Sequence, residues 1–280
     1  MLRSLYRFLH PRFQTLFLEY RTAFKPRYVP GQSAHSELME LISQGKPAYQ
    51  QMLEKALLYQ EPILTIKHSQ AETDPLQPVW DNKYLPGMDI IMLYTLLATI
   101  RPTRYFEIGS GHSTKVAAKA IREQQLNTQI TCIDPQPRTE IQSLVNRMIS
   151  SPLEKTDVTI FSELEENDIL FVDNSHRILP NSDAMVFFLE ILPRLKKGVI
   201  VQLHDIYLPY DYPDFMCERF YSEQYGLAIA LLANPGKYKP ILPNYFIHED
   251  AQLSGVLSPL FDQMKNVERH GGSFWLRIEE

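Results

Sequence analysis

The sequence predicts a doubly wound α/β fold, and three observations carry that prediction. Short, continuously apolar runs recur at residues 105–108, 130–133, 158–161, 169–172 and 199–203. Strands that are apolar on every residue suit a parallel sheet covered by helices on both faces. Stretches of helical periodicity separate the runs, at Ile141, Leu144, Val145 and Met148, and at Ala184, Phe187, Phe188, Ile191, Leu192 and Leu195. The first strand also runs straight into a turn with paired glycines and a helical pattern, RYFEIGSGHST followed by KVAAKAIRE. Strand–helix alternation at this spacing is the mark of crossover connections in an open sheet.

Ahead of this alternation the chain reads as a helical appendage. Residues 1–30 hold Arg3, Arg7, Arg12, Arg21, Lys25 and Arg27 against Glu19, about +5, on a chain whose net charge is −5. Leu2, Leu5, Tyr6 and Leu9 fall on one helical face, and after Pro11 so do Phe13, Leu16, Phe17, Tyr20 and Phe24. A basic amphipathic helix of this kind packs on its own domain, across a homodimer, or on an anionic membrane surface. Residues 35–43 and 47–59 read as two further helices, the second with Tyr49, Met52, Leu53, Ala56 and Leu57 on one face and Pro47 placed for a start. The polar stretch 67–82, with Pro75 and Pro78, marks a soft boundary. It divides the chain into an appendage over 1–75 and a main domain over 76–280. From Met88 an apolar helix runs on until Pro102 stops it. Past the alternating region, 215–233 reads as one helix and 238–247 as extended chain. Leu253, Val256, Leu257, Leu260, Phe261 and Met264 mark an amphipathic helix, and 273–278 a last strand that pairs antiparallel at the sheet edge.

Composition narrows the classes. The chain's 280 residues, 44% hydrophobic and 22% charged, are ordinary for a soluble globular protein, and its net charge gives no reason to expect nucleic acid. Cys132 and Cys217 lie far apart without metal-ligand spacing, so reduced thiols and a cytoplasmic setting, with peripheral membrane contact as its variant, are expected. No apolar run reaches the roughly 18–20 residues that span a bilayer. Arg, His and Pro interrupt the start of the chain where a secretory signal would need an apolar segment.

The candidate site begins at the glycine turn. Gly109 and Gly111 let a ligand approach the backbone, and the helix opening at Ser113 and Thr114 offers unpaired N–H groups. Glu107 discriminates among ligands: a carboxylate beside the turn repels a pyrophosphate and suits a group carrying an ammonium and a sulfonium. The turn also lacks the third glycine of G-x-G-x-x-G, which counts against a nicotinamide oxidoreductase. Asp134, Asp173 and the pair His204-Asp205 each close a successive strand, where open α/β sheets bind ligands.

Taken in order, NKYLPGMD at 82–89, EIGSGHST at 107–114, CIDP at 132–135, FVDNSH at 171–176, GVIVQLHD at 198–205, NYF at 244–246 and GGSFWLR at 271–277 form a recognisable series. The series resembles a class I S-adenosylmethionine-dependent methyltransferase of the family-24, small-molecule type, over about residues 80–275. The resemblance implies a Rossmann-like sheet of seven strands, mostly parallel with an antiparallel last strand, and S-adenosylmethionine as cofactor. It implies that Glu107, Gly109, Ser110, Gly111 and Ser113 cradle the methionine part and that Asp134 accepts the ribose hydroxyls. Adenine would meet the turn after the third strand, near Phe161 and Ser162. Asp173 would face cofactor or acceptor. His204 would act as general base beside Asp205 and Asp173, its ordinary pKa of about 6.5 lying close to neutrality. In the less favoured arrangement Asp173, His204 and Asp205 would hold a divalent cation, although a nitrogen ligand suits Mg²⁺ poorly. His176 is a second base or a hydrogen-bonding support. Tyr84, Tyr207, Tyr210 and Tyr212 would stack on the acceptor or pack as a lid. The implied reaction is methyl transfer to a small-molecule acceptor, most simply a hydroxyl of a sugar or natural product. The alternatives are an NAD-type Rossmann oxidoreductase and a non-catalytic cofactor-binding module that docks through residues 1–30.

Overall fold

A computed structural model describes residues 6, 8–11, 13–137 and 139–280. Leu2, Arg3, Leu5, Arg7 and Arg12 of the basic segment lie outside the described residues. Tyr6, Phe8 and Leu9 form a helical turn, but residues 13–28 run without regular structure, and the helical face expected from Phe13 to Phe24 does not form. Phe17 and Tyr20 are 78% and 73% exposed. Without an apolar surface opposite, a segment this short does not hold a helix in water. Among the described residues, Phe24 packs edge-on against Phe220, and the first long-range hydrogen bonds follow where the Arg27 and Tyr28 amides donate to Asp211 Oδ2, at 2.6 and 3.1 Å.

Helices α1 (Ser36–Ser43), α2 (Lys46–Leu58) and α3 (Gln60–Leu64) follow, with Pro47 in the first turn of α2. Tyr49, Leu53 and Ala56 of α2 are buried, with Met52 and Leu57 packed at the margin of the core. The Tyr49 hydroxyl donates to the Ile42 carbonyl at 2.9 Å and ties α2 back to α1. Helix α4 (Gly87–Ile100) is buried around most of its circumference, as its nearly uniform apolar sequence requires. It ends at Arg101, whose left-handed backbone turns the chain away just before Pro102.

The strands are β1 (Arg104–Ile108), β2 (Gln129–Ile133), β3 (Arg147–Ile149), β4 (Ile169–Val172), β5 (Ile200–Leu203), β6 (Tyr238–Pro243) and β7 (Phe274–Ile278). Among the described residues these seven form one sheet in the order β3-β2-β1-β4-β5-β7-β6. Pairs from β3 through β5 are parallel, while β7 runs antiparallel to both β5 and β6. The last strand is thus antiparallel as expected but lies inside the sheet rather than at its edge. The edge is taken by β6, whose Pro240 and Pro243 cannot donate to a second neighbour.

The third strand corrects the sequence reading. It is Arg147–Ile149, so Met148 is a strand residue, and the helical face of Ile141, Leu144 and Val145 shrinks to one turn, Gln142–Leu144. Residues 158–161 instead open a 3₁₀ helix, Val158–Glu163, because Asp157 caps the Thr159 amide at 3.0 Å. An edge strand of three residues that begins with an exposed arginine leaves no apolar run to detect.

Helix α5 (His112–Glu123) follows β1, and α6 (Asp183–Val186) continues through a π-helical turn, Phe187–Ile191. Three later helices differ from expectation. The span 215–233 breaks into α7 (Asp214–Cys217) and α8 (Glu223–Ala233), with Phe220 left-handed and the Ser222 amide donating to the His176 carbonyl. Residues 244–249 form α9 (Asn244–Glu249) rather than extended chain. The final amphipathic stretch divides at Leu257, before Pro259, into α10 (Ala251–Val256) and α11 (Ser258–Phe261). Buried residues of α1, α2 and α3 belong to the same hydrophobic cluster as those of the sheet. No described helix is long and apolar enough to cross a membrane.

Candidate active site

The sheet reverses direction of growth between β1 and β4, and the turns after these strands face one crevice, where open sheets bind ligands. Gly109, at φ +84°, follows β1, and a Cβ there would collide with the Asp173 carbonyl oxygen just past β4. Glycine is therefore a steric demand of the crevice. Gly111, by contrast, has open space where its Cβ would be. The Gly111 amide donates to Thr114 Oγ1, and the Thr114 hydroxyl donates to Glu107 Oε2 at 2.7 Å. Ser113 donates to the other Glu107 oxygen. Glu107 is fully buried and lines none of the cavities around the turn, so its carboxylate braces Ser113 and Thr114 from behind. Burial pushes its pKa up to about 8 against the opposing hydroxyls.

Asp134, at the end of β2, accepts from the Ser110 hydroxyl and from the Gln136 amide, each at 2.7 Å. With Gly109, Ser110, Leu153 and Asp173 it lines a cavity of about 470 Å³. Phe161 and Ser162, expected against adenine, do not line it. Because β3 is Arg147–Ile149, Pro152, Leu153 and Glu154 occupy that position instead. A narrow cavity of about 70 Å³ adjoins Ser110, Gly111, His112 and Ser113 and reaches Asp173 and His204. A third, of about 930 Å³, extends from Asp173, His204 and Asp205 to Tyr84, Tyr207 and Tyr221. Tyr84 and Tyr207 thus stand at the mouth as expected. Tyr212 is instead wholly buried with Met216 and Cys217, and Tyr210 packs toward Tyr245.

Where the cavities meet, two imidazoles and several carboxylates are interleaved. His204 Nδ1 lies 3.7 Å from Asp173 and 3.6 Å from Asp205, while Nε2 lies 3.5 Å from Asp89. The last distance is long for a hydrogen bond yet well within strong Coulomb range. Burial opposes charge on His204, but Asp205, Asp89 and Asp173 outweigh it and raise its pKa to about 9. His176 Nε2 lies 3.3 Å from Asp173 and 3.5 Å from Asp205, and its Nδ1 is 3.0 Å from the buried Glu223. Burial works against its charge too, and Asp173, Glu223 and Asp205 overcome it, holding His176 well above its ordinary value. Among the described residues no three His, Cys, Asp or Glu side chains are arranged to hold a metal ion. The Asp173 and Asp205 carboxylates face the imidazoles instead. His176 and Asp205 both take left-handed backbone angles, φ 60° and 55°, a strain that recurs at functional sites.

Sequence reasoning missed Asp89 and His112 as members of this site. Asp89 accepts from Asn244 Nδ2 and from the amides of Gly272 and Ser273, at 2.7 to 3.0 Å. Burial alone would raise its pKa; His204, Asn244 and Gly272 together hold it below the ordinary carboxylate value. The separate motifs NKYLPGMD, NYF and GGSFWLR therefore converge on one carboxylate behind His204. A signal was present in the acidic end of the first of them. His112 sits in the glycine turn itself; its Nδ1 is buried without a hydrogen-bond partner at the wall of the narrow cavity. Burial lowers its pKa to about 4, so the ring is neutral and able to accept.

No curated protein matches the sequence. Among solved structures, an S-adenosylhomocysteine-bound methyltransferase from Podospora anserina is 15% identical, with 71% of this chain and 81% of that one covered and a TM-score of 0.43. A Bacillus cereus O-methyltransferase in complex with S-adenosylhomocysteine is 13% identical, over 82% and 91% of the chains, at 0.39. At these identities and scores neither likeness bears on substrate or mechanism. Residues 106–206, from β1 through His204-Asp205, match the family model of a methyltransferase domain, Methyltransf_24. That match spans β1 to the end of β5 and takes in the glycine turn and the strand-end carboxylates Asp134, Asp173 and Asp205.

Proposed function

We propose that the chain transfers the methyl group of S-adenosylmethionine to a hydroxyl of a small molecule. One observation carries the reading: the cavity along Asp134, the cavity along the glycine turn and the larger cavity all meet at Asp173, and the latter two also share His204. The donors present fit the cofactor. Asp134 has a strand-end carboxylate for paired ribose hydroxyls, Gly111 leaves room at the turn, and His112 Nδ1 is an orphaned buried acceptor beside it. When bound, S-adenosylmethionine supplies an activated methyl group on a sulfonium.

The chain's own residues do the rest. Gly109 to Ser113 orient the amino-acid end through backbone groups, and Asp134 fixes the ribose. Asp173 offers negative charge beside the point where a cationic sulfonium would lie. His204 removes the acceptor proton once it has lost its own, with Asp89 holding the ring from behind. Enclosure by Tyr84 and Tyr207 excludes water, and alignment contributes as much as the base in a displacement of this kind.

Calorimetry tests the reading. S-Adenosylhomocysteine should bind the wild-type chain, and Asp134→Ala should weaken it by about tenfold or more, the loss of a charge-assisted ribose contact. Binding of NADH in its place would sink the proposal, and unchanged affinity in Asp134→Ala would misplace the ribose.

A further inference from the structure

The large cavity carries positive charge that the transfer itself does not need. Arg177 and Arg219 both line it, and their guanidinium groups lie 5.1 and 4.9 Å from the centroid of one ring, Tyr221. That ring stacks in turn on His176, with centroids 4.7 Å apart, so the arginines stand one aromatic layer out from the strand ends. Arg177 is locked in place: Nε donates to the Arg219 carbonyl at 2.8 Å and Nη1 to the Ser175 carbonyl at 2.9 Å. Among the described residues, no carboxylate lies within ion-pairing distance of either guanidinium, or of Lys83 on the same wall.

The acids that share the cavity are occupied elsewhere. Asp173 and Asp205 face the two imidazoles, and Asp81 accepts from both the amide and the hydroxyl of Ser69 at 2.6 Å. Glu268 also lines the wall and forms an ion pair with none of the three cations. Two cations beside one ring raise the local positive potential, which an anion in the cavity relieves. Planar guanidinium groups with free N–H donors match carboxylate and phosphate oxygens, and Tyr221 and Phe215 supply apolar surface beside them.

We propose that the acceptor is an anionic small molecule, whose phosphate or carboxylate group is held by Arg177 and Arg219 while its hydroxyl lies at Asp173 and His204. This rests on the methyl-transfer reading for the position of the hydroxyl, but the anion site stands on the cavity alone.

The test is calorimetric titration of phenyl phosphate, benzoate and benzyl alcohol into the full chain, with and without saturating S-adenosylhomocysteine. Either anion should bind about tenfold or more tighter than benzyl alcohol, as charge-assisted pairing requires. The tighter of the two anions names the group. Arg177→Gln combined with Arg219→Gln should bring all three probes to similar affinity while S-adenosylhomocysteine binding is kept. Because Arg177 also supports backbone, the exposed Arg219→Gln alone serves if the double variant does not fold, and should lose about threefold or more of the anion preference. Benzyl alcohol binding as well as the anions would overturn the proposal, as would an anion preference that survives the substitutions. Absence of S-adenosylhomocysteine binding to the wild-type chain, with an anion preference that the substitutions remove, would count against the methyl-transfer reading and leave the anion site standing.

Discussion

Burial works to strip the proton from His204, yet Asp205, Asp89 and Asp173 keep it on, with a pKa of about 9. At neutral pH the ring is therefore charged in the free protein, and a base role requires a prior proton loss, which a cationic ligand at Asp173 promotes. The imidazole resonance absent from His204→Asn should titrate near pH 9 by NMR; a midpoint near the ordinary value would show that the carboxylates do not act on it. Because the folded pKa exceeds the unfolded one, the stability His204 contributes is complete below about pH 6.5 and is lost as pH rises through about 9. Glu107 acts in the same direction, since its folded pKa of about 8 lies above the ordinary 4.5 and ionisation on rising pH opposes folding. Glu107 and His204 were both legible as residues of interest from their places at strand ends. Their protonation states were not, because neighbours far along the chain decide them. Glu107 is also less a ligand contact than a brace for Ser113 and Thr114.

At the scale of elements, the β1–turn–α5 unit is the part most fully written in local sequence. Its two glycines nevertheless have different duties. Gly109→Ala places a methyl group against the Asp173 carbonyl at a left-handed φ, so we expect a loss of about 2–4 kcal/mol, measured as a lowered urea midpoint. Wild-type stability in that variant would mean that the turn after β4 is not pressed against it. Elements buried on all sides, such as α4 and β1, could be found as apolar runs because such burial selects apolar residues throughout. β3 could not, since an edge strand buries little, and its pairing is set by the Asn146 side chain accepting from the Ile130 amide at 2.8 Å. The broken helices at Phe220 and Leu257 escaped for a related reason. Apolar spacing persists across a break when both halves face the same core.

Across the whole molecule, one hydrophobic cluster joins α1, α2 and α3 to the sheet, while residues 13–24 stay largely outside it. We therefore expect removal of residues 1–26 to leave the melting temperature within about 2 °C of wild type, as for exposed segments with few buried contacts. A fragment starting at residue 76 should fail to unfold cooperatively, because it would bare the core faces that meet Tyr49, Leu53 and Ile63. Cooperative folding of that fragment would establish the appendage as a separate unit. Sequence alone determined the alternation of strand and helix, the glycine turn and the acidic strand ends, since each follows from local periodicity and short-range sterics. Tertiary structure alone decided that β7 enters between β5 and β6, that Asp89 stands behind His204, and that two arginines converge on Tyr221. These pairings join residues far apart in the chain, and only the packing of the complete sheet brings them within reach of one another.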